Sequence, residues 1–442
     1  MALLQKPLIH CDPFGEPSEP CIQQWPAHLA KDVADIIHKD VVDTLSQSRL
    51  TPTTDGIQLV QRQDIARVER VLGSGAFSQV SSVITRDGRR YACKHLQQRL
   101  MDQPNDFRTA AVELVYEAHM LSSFDHPNIL KIRGWAHNGV ASFAEGWNDS
   151  FFLMLDVLDE TLDMRIERWY REQQDGMWAM MASPSSAAQQ MEARHLEKLR
   201  IMNELASALD YIHQRGVIFR DAKPQNIGFL GDRVQLFDFG LSRELPLLDT
   251  SAQFEMSGKV GTLRYMAPEV ATNKPYGVSA DVYSWAMVSY EILSLVKPFD
   301  GWTREMHASF VCLQGQRPDM VHCNQPIPVE VQVLLEHSWN TTPSMRPQLS
   351  QIMNQLDYLM ACQVQKVQDQ QIQMNIARQL ESEIQQQQQL VHTLAPPQPL
   401  IHIDLNSYIA RPALRKLARK NSFDSIETIE TTTLSIESED FY

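Results

Sequence analysis

The 442-residue chain has 43% hydrophobic and 21% charged residues and a formal net charge of −14. This is enough sequence for about two average domains, or one large two-lobed domain with tails. The acidic balance argues against nonspecific binding to nucleic acid or to an anionic membrane surface.

The six cysteines show no C-x-x-C pair and no His partners at zinc spacing, which suits a reducing compartment. No basic stretch followed by an apolar core opens the chain, so no secretory signal is expected. The most apolar long stretch, Val278 to Phe299, carries Asp281, Glu291 and Lys297 and reads as a buried helix rather than a membrane span. A cytoplasmic (or nuclear) protein is expected.

In chain order, residues 1–64 form an extension that begins Pro-rich, with a helix expected over about Ala30 to Leu45. From Ile65 the pattern becomes that of strands: Ala66 to Leu72, Gln79 to Thr85 and Arg90 to His95, with Asp87-Gly88 as a turn. A helix is expected over Phe107 to Phe124, then strands near Ile129–Trp135 and Phe151–Leu155. This predicts a small five-stranded β lobe with one helix. Beyond Leu158 the sequence is mainly helical, including Leu196–Gln214, Val278–Leu295, Pro328–Ser338 and Gln348–Met360.

Residues 171–193, with Ser183-Pro184-Ser185-Ser186, read as an inserted loop. Residues 362–395 are a Gln-rich helical segment. Its seven-residue apolar step through 353, 360, 367 and 374 decays, which leaves two readings, a solvated polar tract or a self-association element over 362–394. Residues 396–442 are expected to be disordered: Arg411 to Lys420 holds five basic residues and no acid, Asn421 to Tyr442 six acids and no base. Arg419-Lys420-Asn421-Ser422 there reads as a phosphoacceptor pattern or as plain polar tail.

The chemistry concentrates in Phe219-Arg220-Asp221-Ala222-Lys223-Pro224-Gln225-Asn226, followed twelve residues later by Asp238-Phe239-Gly240. Two carboxylates, a carboxamide and a lysine in this order suit phosphoryl transfer on magnesium. That reaction needs a base for the attacking hydroxyl, a cation for the phosphoryl group and oxygen ligands for the metal. Far upstream, Leu72-Gly73-Ser74-Gly75-Ala76-Phe77-Ser78-Gln79-Val80 places glycines where backbone can approach phosphate oxygens, although a hairpin turn would look similar. Lys94, on the third strand after Ala92 and Cys93, needs a carboxylate or solvent. Glu117 is the expected partner and Glu113, one turn earlier, the alternative.

Together with Ala267-Pro268-Glu269, Asp281-Val282-Tyr283-Ser284-Trp285 and Arg346, these residues resemble the eukaryotic protein kinase family over about residues 65–361. The resemblance implies an α+β bilobal kinase fold, with a β lobe over 65–158 and a mainly helical lobe over 159–361. It implies that ATP and Mg2+ are the cofactors. Asp221 would orient the substrate hydroxyl and accept its proton, Lys223 would neutralise the transferring group, and Asn226 and Asp238 would hold the metal. Lys94, fixed by Glu117, would hold the α- and β-phosphates. Leu72, Gly73, Gly75, Phe77, Val80 and Ala92 would contact the nucleotide, with the main chain of Asp156 and Leu158 reading the adenine edge. Glu269 would pair with Arg346 as a structural bridge, and Asp281 would brace the catalytic loop.

Lys223, with Gly261-Thr262, points within that family to Ser/Thr hydroxyls on protein substrates. Asp281 to Trp285 and Arg346-Pro347 resemble the tyrosine-kinase-like branch, whose members are mostly Ser/Thr-specific. Arg220 beside Asp221 implies control by phosphorylation of Thr250, Ser251 or, foremost, Ser257. Three positions depart from the family pattern. Phe219 replaces the usual His and is expected to pack on Phe239. Gly228 stands where a large apolar residue usually lies beneath the adenine, and Ser78 stands in place of a third glycine. A pseudokinase scaffold is the alternative reading, and a small-molecule kinase a third.

Overall fold

The computed structural model describes residues 24–182, 184–320 and 325–394. The Pro-rich start, the charged tail and Cys11, Cys21 and Cys323 lie outside the described residues. The chain divides into two compact units, residues 1–368 and 369–442.

The first unit opens with helix α1 (Ala27–Leu45), whose Ala30, Val33, Ala34, Ile37 and Val41 form one buried stripe at helical spacing. Strand β1 (Gln58–Val60) follows, then β2 (Ile65–Ser74), β3 (Ser78–Thr85), β4 (Arg90–Leu96), helix α2 (Pro104–Ser122), β5 (Ile132–Ala136) and β6 (Phe152–Leu155). These strands make one sheet in the order β1-β5-β6-β4-β3-β2. The sheet therefore has six strands, not five. The extra one comes from the N-terminal extension, where Gln58–Val60 pairs in parallel with Gly134–Ala136.

The second lobe begins with β7 (Glu160–Thr161), α3 (Leu162–Ala182) and α4 (Pro184–His213). The segment expected to be an inserted loop is instead helical on both sides of position 183. Pro184 opens α4, a place where proline's missing N–H costs nothing. Short strands β8 (Val217–Ile218), β9 (Ile227–Leu230), β10 (Arg233–Leu236) and β11 (Arg243–Glu244) then frame the loops that carry the polar motifs. A short α5 (Pro268–Ala271) precedes α6 (Ser279–Ser294), which is buried on every side from Ala280 to Ser294. It forms the axis of this lobe. Helices α7 (Arg304–Met306), α8 (Val329–Ser338) and α9 (Leu349–Leu394) complete the described residues.

The described part of the second unit, residues 369–394, is helical and leaves Ile372, Leu380, Ile384 and Leu390 exposed. No helix among the described residues is long and apolar enough to cross a membrane.

Candidate active site

The sheet register aligns the upper half of the site. Val80 lies opposite Lys94 on the β3–β4 pair, and Ala92 lies opposite Leu155 on the β4–β6 pair. Directly opposed residues point to one face, so Val80, Ala92 and Lys94 share a surface that leads into the 156–159 connection. The glycine-rich turn between β2 and β3 closes with Gly75 N–H donating to Ser78 C=O at 2.9 Å. Gln97 Nε2 holds the turn from behind through Ser74 Oγ (2.9 Å) and Gly75 C=O (2.5 Å), and Arg99 donates to Ala76 C=O. Nothing in the sequence pattern marked Gln97 or Arg99. Leu72 and Phe77 are exposed at the turn.

Lys94 Nζ donates to Glu117 at 2.6 and 2.8 Å and to Asp238 Oδ1 at 2.8 Å. Burial opposes the Lys94 ammonium, but the Asp238 and Glu117 charges outweigh it and hold its pKa above the ordinary lysine value. The Lys94 charge in turn pulls the Asp238 carboxyl below its usual range. Glu117 is the partner because α2 turns it toward the sheet. Glu113, one turn earlier, faces Arg243 at 3.9 Å. Burial raises the Glu113 pKa, opposed by the Arg243 and Arg220 charges.

The loop between β8 and β9 carries the lower half. Asp221 Oδ1 accepts from Thr262 N–H (2.9 Å) and Thr262 Oγ1 (3.0 Å), and Oδ2 accepts from Lys223 Nζ (2.6 Å) and Asn226 Nδ2 (2.9 Å). Four donors therefore fix the rotamer of a carboxylate that is nearly buried. Beneath it, Asp281 on α6 accepts from the N–H groups of Phe219 (2.7 Å) and Arg220 (2.8 Å), with His213 Nε2 2.8 Å away. Arg220 has φ 70° and Asp238 φ 65°, left-handed conformations that such bracing sustains at a site where backbone strain sets side-chain direction. Gly261 is required by space as well as by its φ of 99°. A β-carbon there would lie 2.5 Å from Arg220 C=O.

The three departures from the family pattern have distinct outcomes. Phe219 is fully buried and meets Phe239 edge-on at 5.0 Å, so the ring packs as expected. At Gly228 a β-carbon would lie 2.5 Å from Leu158 Cδ1, so the Leu158 side chain occupies the space beside the glycine. Ser78 supplies the carbonyl that closes the turn. Far below, Arg346 and Glu269 form a buried two-point ion pair at 2.6 and 2.9 Å.

The donor chemistry suits a magnesium–nucleotide pair. Asn226 spends its amide N–H groups on Asp221, which leaves its side-chain oxygen as an acceptor. No group of three or more His, Cys, Asp or Glu gathers among the described residues as a protein-only cage. An ion that takes one or two protein oxygens and completes its shell with phosphate and water fits Asn226 and Asp238.

This set of motifs is matched over most of the chain: the family model for the protein kinase domain covers residues 66–358. The chain belongs to the protein kinase family. It is 36% identical over 170 residues to the serine/threonine/tyrosine-protein kinase HT1 of Arabidopsis thaliana, covering 37% of this chain and 40% of that protein. It is 34% identical over 164 residues to the serine/threonine-protein kinase STY17 of the same plant, covering 36% and 27%. It is 27% identical over 301 residues to the serine/threonine-protein kinase Nek11 of Macaca fascicularis, covering 66% and 42%. The matches span less than half of the length of each of these relatives.

Proposed function

We propose that this kinase-family chain transfers the γ-phosphate of ATP to Ser or Thr hydroxyls of protein substrates. The observation that carries the reading is Asp221, held by Thr262, Lys223 and Asn226 with no catalytic position left empty. Bound magnesium would neutralise phosphate charge from Asn226 and Asp238. The chain's own groups do the rest. Lys94, locked by Glu117, fixes the phosphates. Lys223 offsets charge on the transferred group, and Asp221 orients the hydroxyl and takes its proton. Relatives named as serine/threonine kinases support the choice of hydroxyl.

Control by phosphorylation forms part of this proposal, with Ser257 as the acceptor. Arg220 Nη1 lies 3.1 Å from Ser257 Oγ and 3.2 Å from Tyr276 OH, while Ser251 is engaged by Asp249. Burial and the adjacent Arg220 charge depress the Arg243 pKa, a like-charge pairing that an added anion relieves. Ser257 is exposed and open to an incoming kinase.

The test of residue specificity is phosphoamino-acid analysis of a generic basic protein after incubation with γ-labelled Mg·ATP. Label on Ser and Thr is expected. Label confined to Tyr, or none, contradicts the reading.

A further inference from the structure

The segment preceding the kinase-family match is built onto helix α2 near both of its ends. At the start of α2, Trp25 Nε1 donates to Met101 C=O at 2.9 Å, and its ring meets Phe107 edge-on at 4.7 Å. In the same first turns, Asp40 of α1 forms a two-point ion pair with Arg108. At the far end, Ser48 Oγ lies 2.8 Å from His119 Nε2, and Thr53 N–H donates to Ser122 C=O at 2.9 Å.

The same stretch also grips the opening of the activation segment, the chain between Asp238 and Glu269. Ser48 Oγ donates to Glu244 Oε1 at 2.5 Å, and Arg49 N–H donates to Glu244 Oε2 at 2.8 Å. The Arg49 guanidinium donates to Pro246 C=O at 3.0 Å and to Leu245 C=O. A cavity of about 790 Å³ lies between these three elements, walled by Arg49, Arg108, Glu113 and Arg243 among others.

We infer that residues 24–60 are an intramolecular bracket that sets the position of α2, with Ser48, Arg49 and the Asp40–Arg108 pair as its positioning residues. The inference rests on the kinase reading. The helix carries Glu117, and Glu117 must reach Lys94 for the phosphates to be held. A helix anchored at only one end could pivot and open that pair. Contacts near its start and at its end remove the pivot. Because Ser48 and Arg49 also hold Glu244, movement of the activation segment and movement of α2 are tied to one stretch of chain. The residues act through α2 and do not touch the reacting groups.

Charge exchange in the full-length protein tests the bracket. Asp40→Arg and Arg108→Asp, each alone, are expected to lower kcat/KM for ATP by about tenfold or more, and the double exchange to restore it to within about threefold. Hydrogen exchange on the same proteins is expected to show lost protection of α2 amides in each single variant and its return in the double. Arg49→Ala provides a second arm, expected to expose amides of both α2 and β11 while those of α6 stay protected. Single variants that match wild type in both readouts overturn the inference. So does a double exchange that fails to restore α2 protection. Because the exchange readout needs no turnover, a wild type that transfers no phosphate would count against the kinase reading, and α2 protection would still decide the bracket.

Discussion

Leu158 fills the space that a β-carbon at Gly228 would need, its Cδ1 atom 2.5 Å from that point. Leu158, in the connection between the lobes, therefore packs directly against Gly228 of β9. Gly228→Leu overpacks this contact and is expected to raise KM for ATP by on the order of tenfold. Leu158→Ala leaves a gap and raises it as well. Combining them is expected to recover much of the loss, since the two side chains compete for one space. Steady-state kinetics of the four proteins decide the matter, and additive effects would show that the two positions are independent.

Arg220 reaches Ser257 across the activation segment at 3.1 Å. Phosphatase treatment of active wild-type protein is expected to lower kcat by about tenfold or more, and Ser257→Ala to start at that lowered rate and ignore the phosphatase. If treatment leaves the rate unchanged, and so does alanine replacement of Thr250, Ser251 and Ser257 together, phosphorylation of this segment is not the switch.

The Arg346–Glu269 pair is buried, with the arginine side chain fully inaccessible. Removing one partner strands the other charge. Arg346→Ala is expected to cost about 3–5 kcal/mol of stability in denaturant unfolding. A smaller cost, near that of an exposed pair, would mean that water reaches the Glu269 carboxylate.

Glu291 sits inside α6, and burial pushes its carboxyl up to about 7, opposed by a hydrogen bond from Tyr265 OH at 2.6 Å. Between its ordinary value of 4.5 and about 7 the folded chain holds a proton that the unfolded chain releases. Stability from this group is therefore present at low pH and is lost as pH rises through that window. Glu291→Gln keeps an acceptor for Tyr265 and removes the loss. It is expected to be more stable than wild type at about pH 8, by on the order of 1–3 kcal/mol, with the gap closing toward about pH 4.5. A gap that does not change with pH would contradict the assignment.

The catalytic loop was legible because its groups are local. Asp221, Lys223 and Asn226 fall within six residues, so their order carried their geometry. Glu117 was legible from helical spacing, which separates it from Glu113 by one turn. The sixth strand was not, because Gln58–Val60 is three residues long and pairs with a strand more than seventy positions away. The loop expected over 171–193 followed from Ser183 to Ser186, a composition that also suits a helix start at Pro184. The packing of Leu158 on Gly228 followed from no local pattern, since only the fold brings the two together. Ser48 and Arg49 were hidden for the same reason: their partners at Glu244 to Pro246 are almost two hundred residues away.

The central claim is that Asp221, held in place by Thr262, Lys223 and Asn226, serves phosphoryl transfer to a hydroxyl. The measurement that tests it most directly is the rate of label transfer from γ-labelled Mg·ATP to a basic protein substrate by wild type and Asp221→Asn, purified side by side. The account predicts transfer by wild type and a loss of about a hundredfold or more in Asp221→Asn, with nucleotide binding retained. Equal rates in the two proteins, or no transfer by either, would contradict it.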